Sequence, residues 1–328
     1  MMKENSAMPF GLRQKIIAAY GRIGPDIRRT PLEFSPALSG LTGAEVYLKW
    51  ESEQRTGSFK FRGALNKVRG LSPERKARGI VSASTGNHGL GISLAAEMED
   101  VPLTLVLPRT ISKEKKRRLE KRRAEIIVHG ESCDKAEIWA RRLAEETGKT
   151  FVSPYNDNEI IAGQGTIGLE TAEDLPDFKA VIVPVGGGGL IAGIAGYIKA
   201  LAPEVEVIGV EPACSGFMAA SLAAGHIVEI EEGKTIAEAV AGGIEPGSIT
   251  FPLCQELLDR IILVDEPLVK RAMSLILENH ERMVEGAGAL SCAGLLKEKA
   301  RFQGRRTVLV ISGGNIAASV FRDAVGSL

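Results

Sequence analysis

The feature that most constrains the fold is an alternation of short apolar runs with longer helical patterns, which begins near residue 44. Seven runs are strand-like and rich in valine, isoleucine and leucine: EVYLKW, GIVSA, LTLVLP, EIIVHG, AVIVPV, EVIGV and TVLVIS. The segments between them, such as CDKAEIWARRLAEETG and LIAGIAGYIKALAP, have helical spacing and end in Gly or Pro. Continuous apolar strands separated by helices indicate parallel sheets covered on both faces. The sequence therefore predicts an α/β fold.

The charge balance and the cysteines narrow the class of protein. Among 328 residues, lysine plus arginine equals aspartate plus glutamate, 41 each, which gives no reason to expect a nucleic-acid or membrane partner. The four cysteines form no CxxC pair, and MMKENSAMPFGLRQK lacks the apolar core of a signal peptide. We therefore expect a soluble, cytoplasmic protein. The strongly basic segment 113–123, KEKKRRLEKRR, is expected to be an exposed helix.

Three of the strands run into polar or glycine-rich turns and then into helices. They are GIVSASTGNHGLGISLAAEM, AVIVPVGGGGLIAGIAGYIKA and TVLVISGGNIAASVF. In parallel α/β sheets, ligands bind outside the carboxyl ends of the strands, where helix N-termini present free N–H groups. Three such turns in one chain predict a single ligand held from several sides.

The middle turn consists of four successive glycines, Gly186, Gly187, Gly188 and Gly189. A loop without side chains can close its backbone amides around a small anion, and the dipole of the following helix adds to the attraction. This composition predicts a phosphate site.

A different ligand could explain the same segment. Gly187, Gly189 and Ala192 satisfy G-x-G-x-x-A, and the next strand ends in the acidic Glu211. This pattern is also typical of a nicotinamide-dinucleotide site. An NAD-dependent dehydrogenase using the GGGGLIA loop is therefore an alternative, but it assigns no role to the other two turns.

The segment RTGSFKFRGA places Lys60 between Phe59 and Phe61. Apolar neighbours lower the pKa of a lysine, because the charged form loses hydration, and an unprotonated amine can attack a carbonyl. A phosphate loop together with such a lysine indicates pyridoxal phosphate, which carries an aldehyde and a phosphate on one ring. By itself, Lys60 would also suit the exposed first turn of a helix.

Several motifs, taken together, resemble those of the serine/threonine dehydratases, fold-type II pyridoxal phosphate enzymes that include serine racemase. GSFKFRGA resembles their S-F-K-x-R-G-A lysine motif, STGNHG their S-S-G-N-H loop, VGGGGL their glycine loop and VISGGN their C-terminal S-G-G-N turn. EGAGA at 285–289 also matches, and the motifs follow the family order from about residue 28 to 318. The resemblance implies a homodimer of two-domain subunits. Residues 1–74 and 160–328 would form the large cofactor-binding domain, and residues 75–159 a small mobile domain that carries the substrate-carboxylate loop.

The resemblance also implies a role for each cofactor residue. Lys60 would form a Schiff base with the cofactor and remove the substrate's α-proton, and Phe59 would pack on the pyridine ring. Asn87 would hydrogen-bond the ring hydroxyl, Ser312 would face the ring nitrogen, and residues 186–189 would bind the phosphate.

On the substrate side, the resemblance assigns Ser84, Thr85, Gly86 and His88 to the carboxylate of a small amino acid. Thr85 would also stand where serine racemases carry a catalytic serine. The implied reaction is the α,β-elimination of a serine- or threonine-like β-hydroxy amino acid to a 2-oxo acid and ammonia.

Some positions depart from the family pattern and leave alternatives open. Thr85 replaces the racemase serine, and Gly242 replaces an aspartate of threonine dehydratases, which leaves room for a racemase or for a lyase of an unusual hydroxy amino acid, as in compatible-solute catabolism. Glu211 matches an acidic ligand of the divalent-cation loop of some members, but the second ligand falls near Phe217, which cannot coordinate. Whether a cation binds there stays open. A non-catalytic binding protein would need the Lys60 motif to be vestigial.

Overall fold

The computed structural model describes residues 7–326 of the chain. The ends of the expected large domain, residues 1–6 and 327–328, lie outside this range. In chain order the strands are β1 Leu32–Phe34, β2 Glu45–Lys49, β3 Ile80–Ala83, β4 Leu103–Leu107, β5 Glu125–Val128, β6 Thr150–Phe151, β7 Ala180–Pro184, β8 Glu206–Pro212, β9 Arg260–Val264 and β10 Arg306–Val310.

The helices connect these strands and cover both sheets. In chain order they are α1 Ala7–Ile23, α2 Pro36–Thr42, α3 Lys60–Arg69, α4 Pro73–Arg78, α5 Asn87–Met98, α6 Lys113–Glu120, α7 Cys133–Thr147, α8 Asn158–Asp174, α9 Gly189–Leu201, α10 Phe217–Ala224, α11 Thr250–Leu257, α12 Glu266–His280, α13 Gly286–Lys297, α14 Lys299–Phe302 and α15 Ala318–Val325. Short 3₁₀ turns lie at Glu51–Glu53 and Ala213–Ser215. None of the helices within residues 7–326 has the length and apolar character that a membrane crossing requires.

The larger sheet has six strands in the order β1-β2-β10-β7-β8-β9. Only the edge pair β1–β2 is antiparallel, and the other pairs are parallel. The central strand β10 pairs with β2 on one side and with β7 on the other. The turns that follow β7 and β10 therefore lie side by side at the carboxyl ends of these strands.

The smaller sheet is parallel throughout, in the order β5-β4-β3-β6. Its central strand β3 is buried along its whole length and runs into the STGNH turn. The carboxyl end of β3 thus presents that turn, and ligands of parallel α/β sheets bind outside the carboxyl ends of the strands.

Two hydrophobic clusters cover the two faces of the larger sheet. Val181 and Val183 of β7 pack with α1, α8 and α9, whereas Ala180 and Ile182 of the same strand pack with α12 and α13. Because side chains alternate along a strand, an apolar residue at every position means that both faces are buried. This arrangement confirms the predicted α/β class with parallel sheets covered by helices.

All seven apolar runs form strands close to their expected bounds, but three strands were missed. β1 and β6 are three and two residues long, too short for a periodic signal. β9, with the sequence RIILV, has a clear strand composition and could have been recognised.

Candidate active site

The turn that precedes Lys60 is paired with the turn that follows β10. The N–H of Phe59 donates to the carbonyl of Ser312 at 3.1 Å, and the N–H of Gly314 donates to the carbonyl of Gly57 at 2.9 Å. Ser58 and Gly313 form an isolated antiparallel bridge between the two turns. Lys60 therefore lies at the carboxyl end of the larger sheet, next to the C-terminal SGGN turn.

Lys60 is the first residue of α3, and its side chain turns inward. Its Nζ donates to the carbonyl of Pro154 at 2.8 Å and lies 5.1 Å from the centre of the Phe59 ring. Burial lowers the pKa of this amine to about 8, although the nearby Glu285 opposes the shift. A measurable fraction is therefore unprotonated at neutral pH, as a carbonyl-attacking amine requires.

Phe61 does not share the position of Phe59. Its side chain is fully buried in a core cluster with Leu65 of α3 and Ile92 of α5. The expectation that both rings surround the lysine is therefore corrected, because successive residues of a helix point in different directions and Phe61 faces the core.

A buried charge cluster anchors α3 immediately after Lys60. It consists of Lys49, Glu51, Arg62 and Glu170, whose side chains are all fully buried. The guanidinium of Arg62 pairs with Glu51 at 2.8 Å and with Glu170 at 2.6 Å, and Nζ of Lys49 pairs with Glu170 at 2.7 Å. Two cations and two carboxylates balance, so the cluster ties α3 to α8 and β2 without leaving a buried charge unpaired.

The STGNH turn lies against the start of α3. A Cβ added to Gly91 of α5 would lie 3.1 Å from the backbone of Lys60 and Phe61, so glycine permits the close approach of the two helices. The turn residues Ser84, Thr85 and Gly86 are partly buried, and α5 begins directly after them at Asn87. The N-terminal half of α5 thus lies against the start of α3, which carries the lysine.

His88 points into the protein. Its ring is buried, with Nε2 3.1 Å from Oγ of Ser82. Burial, together with the charge of Lys60, lowers the pKa of His88 to about 3, so the ring is neutral. Nδ1 is buried without a hydrogen-bond partner in the described part of the chain. Its expected role at a substrate carboxylate stays a prediction.

Asn87 contacts a carboxyl group that the sequence motifs did not single out. Its Nδ2 donates to Oε1 of Glu285 at 2.6 Å. Burial raises the pKa of Glu285 to about 7, although the Asn87 hydrogen bond opposes the shift. The only sequence signal for Glu285 was its position at the start of EGAGA. Beside this pair, Ser312 is buried, and its Oγ lies 3.4 Å from the carbonyl of Ala287.

The glycine loop has no space for side chains. A Cβ on Gly187 would lie 2.6 Å from the ring of Tyr155, and one on Gly189 would lie 2.9 Å from its carbonyl. Gly188 has a φ of 85°, which side chains rarely adopt, and directly precedes α9. Within residues 7–326, no hydrogen bond is donated by the N–H groups of residues 186–189. These amides at a helix N-terminus suit an anion such as phosphate.

The segment Pro154–Tyr155 brings the lysine and the glycine loop together. Pro154 accepts the hydrogen bond from Lys60, and the next residue packs on Gly187 and Gly189. The Tyr155 hydroxyl accepts from the N–H of Glu245 at 2.9 Å, which fixes the far end of the ring. The sequence offered no signal for this bridging role, because neither residue lies in a recognisable motif.

Both carboxylate oxygens of Glu211 are hydrogen-bonded to nearby backbone N–H groups. Its two carboxylate oxygens accept from the N–H groups of Met218 and Ala219 at 2.9 and 2.8 Å, and burial raises its pKa to about 7. It therefore caps α10, and a buried cap of this kind does not suit the ribose ligand of the dinucleotide alternative. Among the described residues, no group of three or more His, Cys, Asp or Glu side chains is placed to hold a metal ion.

A partly buried lysine with a lowered pKa and a loop of unpaired amides at a helix N-terminus fit the aldehyde and the phosphate of pyridoxal phosphate. Together with the two parallel-rich sheets and their covering helices, these features define a pyridoxal phosphate enzyme of fold type II. The family model described as pyridoxal-phosphate dependent enzyme matches residues 23–313. The chain belongs to this family, and within it to the serine/threonine dehydratases.

Similar proteins span nearly the whole chain. The L-threonine ammonia-lyase of Thermotoga maritima is 45% identical over 290 residues, which cover 88% of this chain and 72% of the relative. The catabolic L-threonine dehydratase of Escherichia coli is 41% identical over 313 residues, 95% of each chain. Among solved structures, maize serine racemase has a TM-score of 0.90 and 32% identity, covering 96% of this chain and 97% of its own. The processed threonine deaminase isoform 2 of Solanum lycopersicum has a TM-score of 0.91 and 33% identity, covering 97% and 92%. Family membership overturns the NAD-dependent alternative.

Proposed function

We propose that the protein is a pyridoxal phosphate-dependent ammonia-lyase that converts L-threonine or L-serine to a 2-oxo acid and ammonia. The observation that carries this proposal is Lys60, an amine of lowered pKa held between the Pro154 carbonyl and the Phe59 ring. Support for the substrate class comes from the Thermotoga maritima and Escherichia coli relatives, which are both named for threonine. When bound, the cofactor supplies a carbonyl for the substrate's amino group and an electron-withdrawing ring.

The residues that would hold the cofactor are those that the family resemblance implies. The amides of Gly186–Gly189 would bind the phosphate, and the ring of Phe59 would pack on the pyridine. Asn87 would hydrogen-bond the ring hydroxyl, and Ser312 would face the ring nitrogen. A neutral serine would not keep that nitrogen protonated as a carboxylate would, and this would favour prompt loss of a β-leaving group over transamination.

The substrate carboxylate binds at the N-terminus of α5, where Ser84, Thr85 and Gly86 form the turn. The amides of the first helical turn and the positive end of the helix dipole both favour an anion there. His88 lines the same site, as the resemblance implies, but its neutral, buried ring adds no positive charge there.

Lys60 acts as the base. Its Nζ takes the α-proton, and the Cα–H electron pair forms the Cα–Cβ double bond. The β-hydroxyl takes a proton from the resulting Lys60 ammonium and leaves as water. The released enamine isomerises and hydrolyses to the 2-oxo acid and ammonia. Thr85 serves the carboxylate, and a racemase would need its hydroxyl to work as a second base.

We further propose that residues 75–159 form a small mobile domain, that two chains form a homodimer and that the enzyme works in the cytoplasm. The first is supported by the smaller sheet, whose four strands all lie between residues 80 and 151. The second and third are supported by the family resemblance, the balanced charge and the cysteine pattern.

The test measures 2-oxo acid and the substrate's enantiomer during incubation with L-threonine or L-serine, for the wild type and Lys60→Ala. Lys121→Ala, a change at the end of the exposed basic helix, is the matched control. We expect 2-oxo acid from the wild type and the control, and a loss of at least about 10³-fold in Lys60→Ala, since no other amine replaces the base. Full turnover by Lys60→Ala would refute the proposal. Accumulation of D-amino acid without 2-oxo acid would establish the racemase instead.

A further inference from the structure

The basic helix α6 does not direct all of its cations to solvent. It carries the sequence KEKKRRLE, and Leu119 is its buried contact with the protein. Arg118, the residue before it, is partly buried, and its Nη2 donates to Oδ1 of Asn315 at 2.6 Å. Asn315 belongs to the SGGN turn after β10. A residue from the smaller-sheet region thus reaches the C-terminal turn of the larger sheet.

The contact continues through two further side chains to Glu285. Nδ2 of Asn315 donates to Oδ1 of Asn87 at 2.8 Å, and Nδ2 of Asn87 donates to Oε1 of Glu285 at 2.6 Å. Arg118, Asn315, Asn87 and Glu285 therefore form one hydrogen-bonded chain, which we call the Arg118 relay. It begins at a cation and ends at a carboxyl group, so every donor in it points the same way.

The ends of the relay fix the orientation of both asparagines. A guanidinium has only donors, so Asn315 must present its oxygen to Arg118. The amide nitrogen of Asn315 then faces the carbonyl of Thr56, at 2.7 Å, and the oxygen of Asn87. Asn87 is thereby obliged to turn its NH₂ group toward Glu285, and its second N–H is left for another acceptor.

Two glycines provide the space that the relay occupies. A Cβ on Gly57 would lie 2.7 Å from Oδ1 of Asn315, and the φ of Gly57 is 76°. A Cβ on Gly313 would collide with Oε1 of Glu285. Both glycines belong to the paired turns beside Lys60, so the relay is built into the site.

We propose that Arg118 is a positioning residue of this enzyme, which acts through Asn315 to hold Asn87 in the orientation that bonds the cofactor's ring hydroxyl. The inference rests on the proposed role of Asn87. Arg118 also ties the smaller-sheet region to the SGGN turn, so the orientation of Asn87 depends on the two regions being together. The basic segment thus contributes one side chain to the site, while its exposed cations face solvent.

The test is a cofactor titration of the apoprotein, followed by visible absorbance, and it needs no substrate. Arg118→Ala removes the relay's cation, Arg118→Lys keeps the charge, and Arg117→Ala removes an exposed neighbour on the same helix. We expect the Kd for pyridoxal phosphate to rise about five- to tenfold in Arg118→Ala, because a charge-assisted hydrogen bond that orients a cofactor ligand is lost. Arg118→Lys should recover part of the affinity, and Arg117→Ala should stay within about twofold.

Two further readouts separate positioning from a merely structural role. Arg118→Ala should shift the pH dependence of the bound cofactor's visible spectrum, because Asn87 no longer holds the ring hydroxyl in a fixed hydrogen bond. Arg118→Ala combined with Asn315→Ala should bind the cofactor no more weakly than Asn315→Ala alone, since both changes break the same relay.

An Arg118→Ala protein with the wild-type Kd and the wild-type spectrum across pH would overturn the proposal, even if its melting temperature fell. Because the titration omits substrate, a wild type that binds the cofactor but eliminates neither threonine nor serine would refute the proposed function and leave the relay standing.

Discussion

The substitution Glu170→Gln tests whether the buried charge cluster holds the lysine-bearing helix in place. Glu170 accepts three hydrogen bonds from cations: Nζ of Lys49 at 2.7 Å, and Nη1 and Nη2 of Arg62 at 2.6 and 2.9 Å. Glutamine keeps the shape of the side chain but removes its charge. Within the fully buried cluster one cation then has no balancing carboxylate, and the nearest carboxylate outside it is the partly exposed Asp174, 3.9 Å from Nζ of Lys49.

Breaking a buried ion pair by neutralising one partner costs about 3–5 kcal/mol, because an uncompensated charge is left out of contact with water. Unfolding entropies of about 2.1 cal/mol/K per residue mean that each kcal/mol lowers the melting temperature of a 328-residue chain by about 1.5 °C. We therefore expect Glu170→Gln to melt about 4–8 °C below the wild type.

The assay is differential scanning calorimetry of the holoenzyme at pH 7, with Glu173→Gln as the matched control. Glu173 lies one turn further along α8 and pairs with Arg29 at 2.8 Å, but both side chains are largely exposed. An exposed pair contributes about 0–1 kcal/mol, so the control should melt within about 1.5 °C of the wild type. Adding Lys49→Met to Glu170→Gln should recover part of the loss, because it removes the unbalanced cation.

Equal melting temperatures for Glu170→Gln and Glu173→Gln would refute the reasoning. Such a result would mean that water reaches the cluster or that the freed cation loses its proton at little cost. A double variant less stable than Glu170→Gln alone would refute the charge-balance argument specifically.

Three further predictions follow from the same geometry. Because burial lowers the pKa of Lys60 to about 8, the rate of cofactor uptake by the apoprotein should rise severalfold between pH 7 and 8.5. Stopped-flow absorbance measures this rate, and a rate that does not change with pH would contradict the prediction. Gly187→Ala should weaken pyridoxal phosphate binding by at least about tenfold, since its Cβ meets the Tyr155 ring, whereas Gly40→Ala, with open space around it, should bind normally. Burial raises the pKa of Glu170, but Arg62 and other cations outweigh it and hold the value below the usual range. The stability from this group is therefore present above about pH 4.3 and lost as pH falls through the lowered pKa. Acid titration by circular dichroism should show wild-type stability declining more steeply than that of Glu170→Gln.

The fold class and much of the candidate site could be predicted from local patterns. Seven apolar runs form seven strands, and the three glycine-bearing turns follow β3, β7 and β10. These features are encoded locally, because strand composition, helix periodicity and glycine turns depend on residues close in sequence. The family motifs, including Lys60, are also contiguous segments.

What the sequence by itself determined was the set of elements and the segments that carry the chemistry. Only the tertiary structure decided which side chains meet between those segments. Pro154 contacts Lys60 across 94 positions, Glu285 contacts Asn87 across 198, and Arg118 contacts Asn315 across 197. Such pairs depend on how two sheets and their helices pack, and no periodicity or turn chemistry specifies a contact between distant segments. For the same reason Phe61, adjacent to the lysine in sequence, belongs to the core, while an arginine from an exposed basic helix belongs to the site.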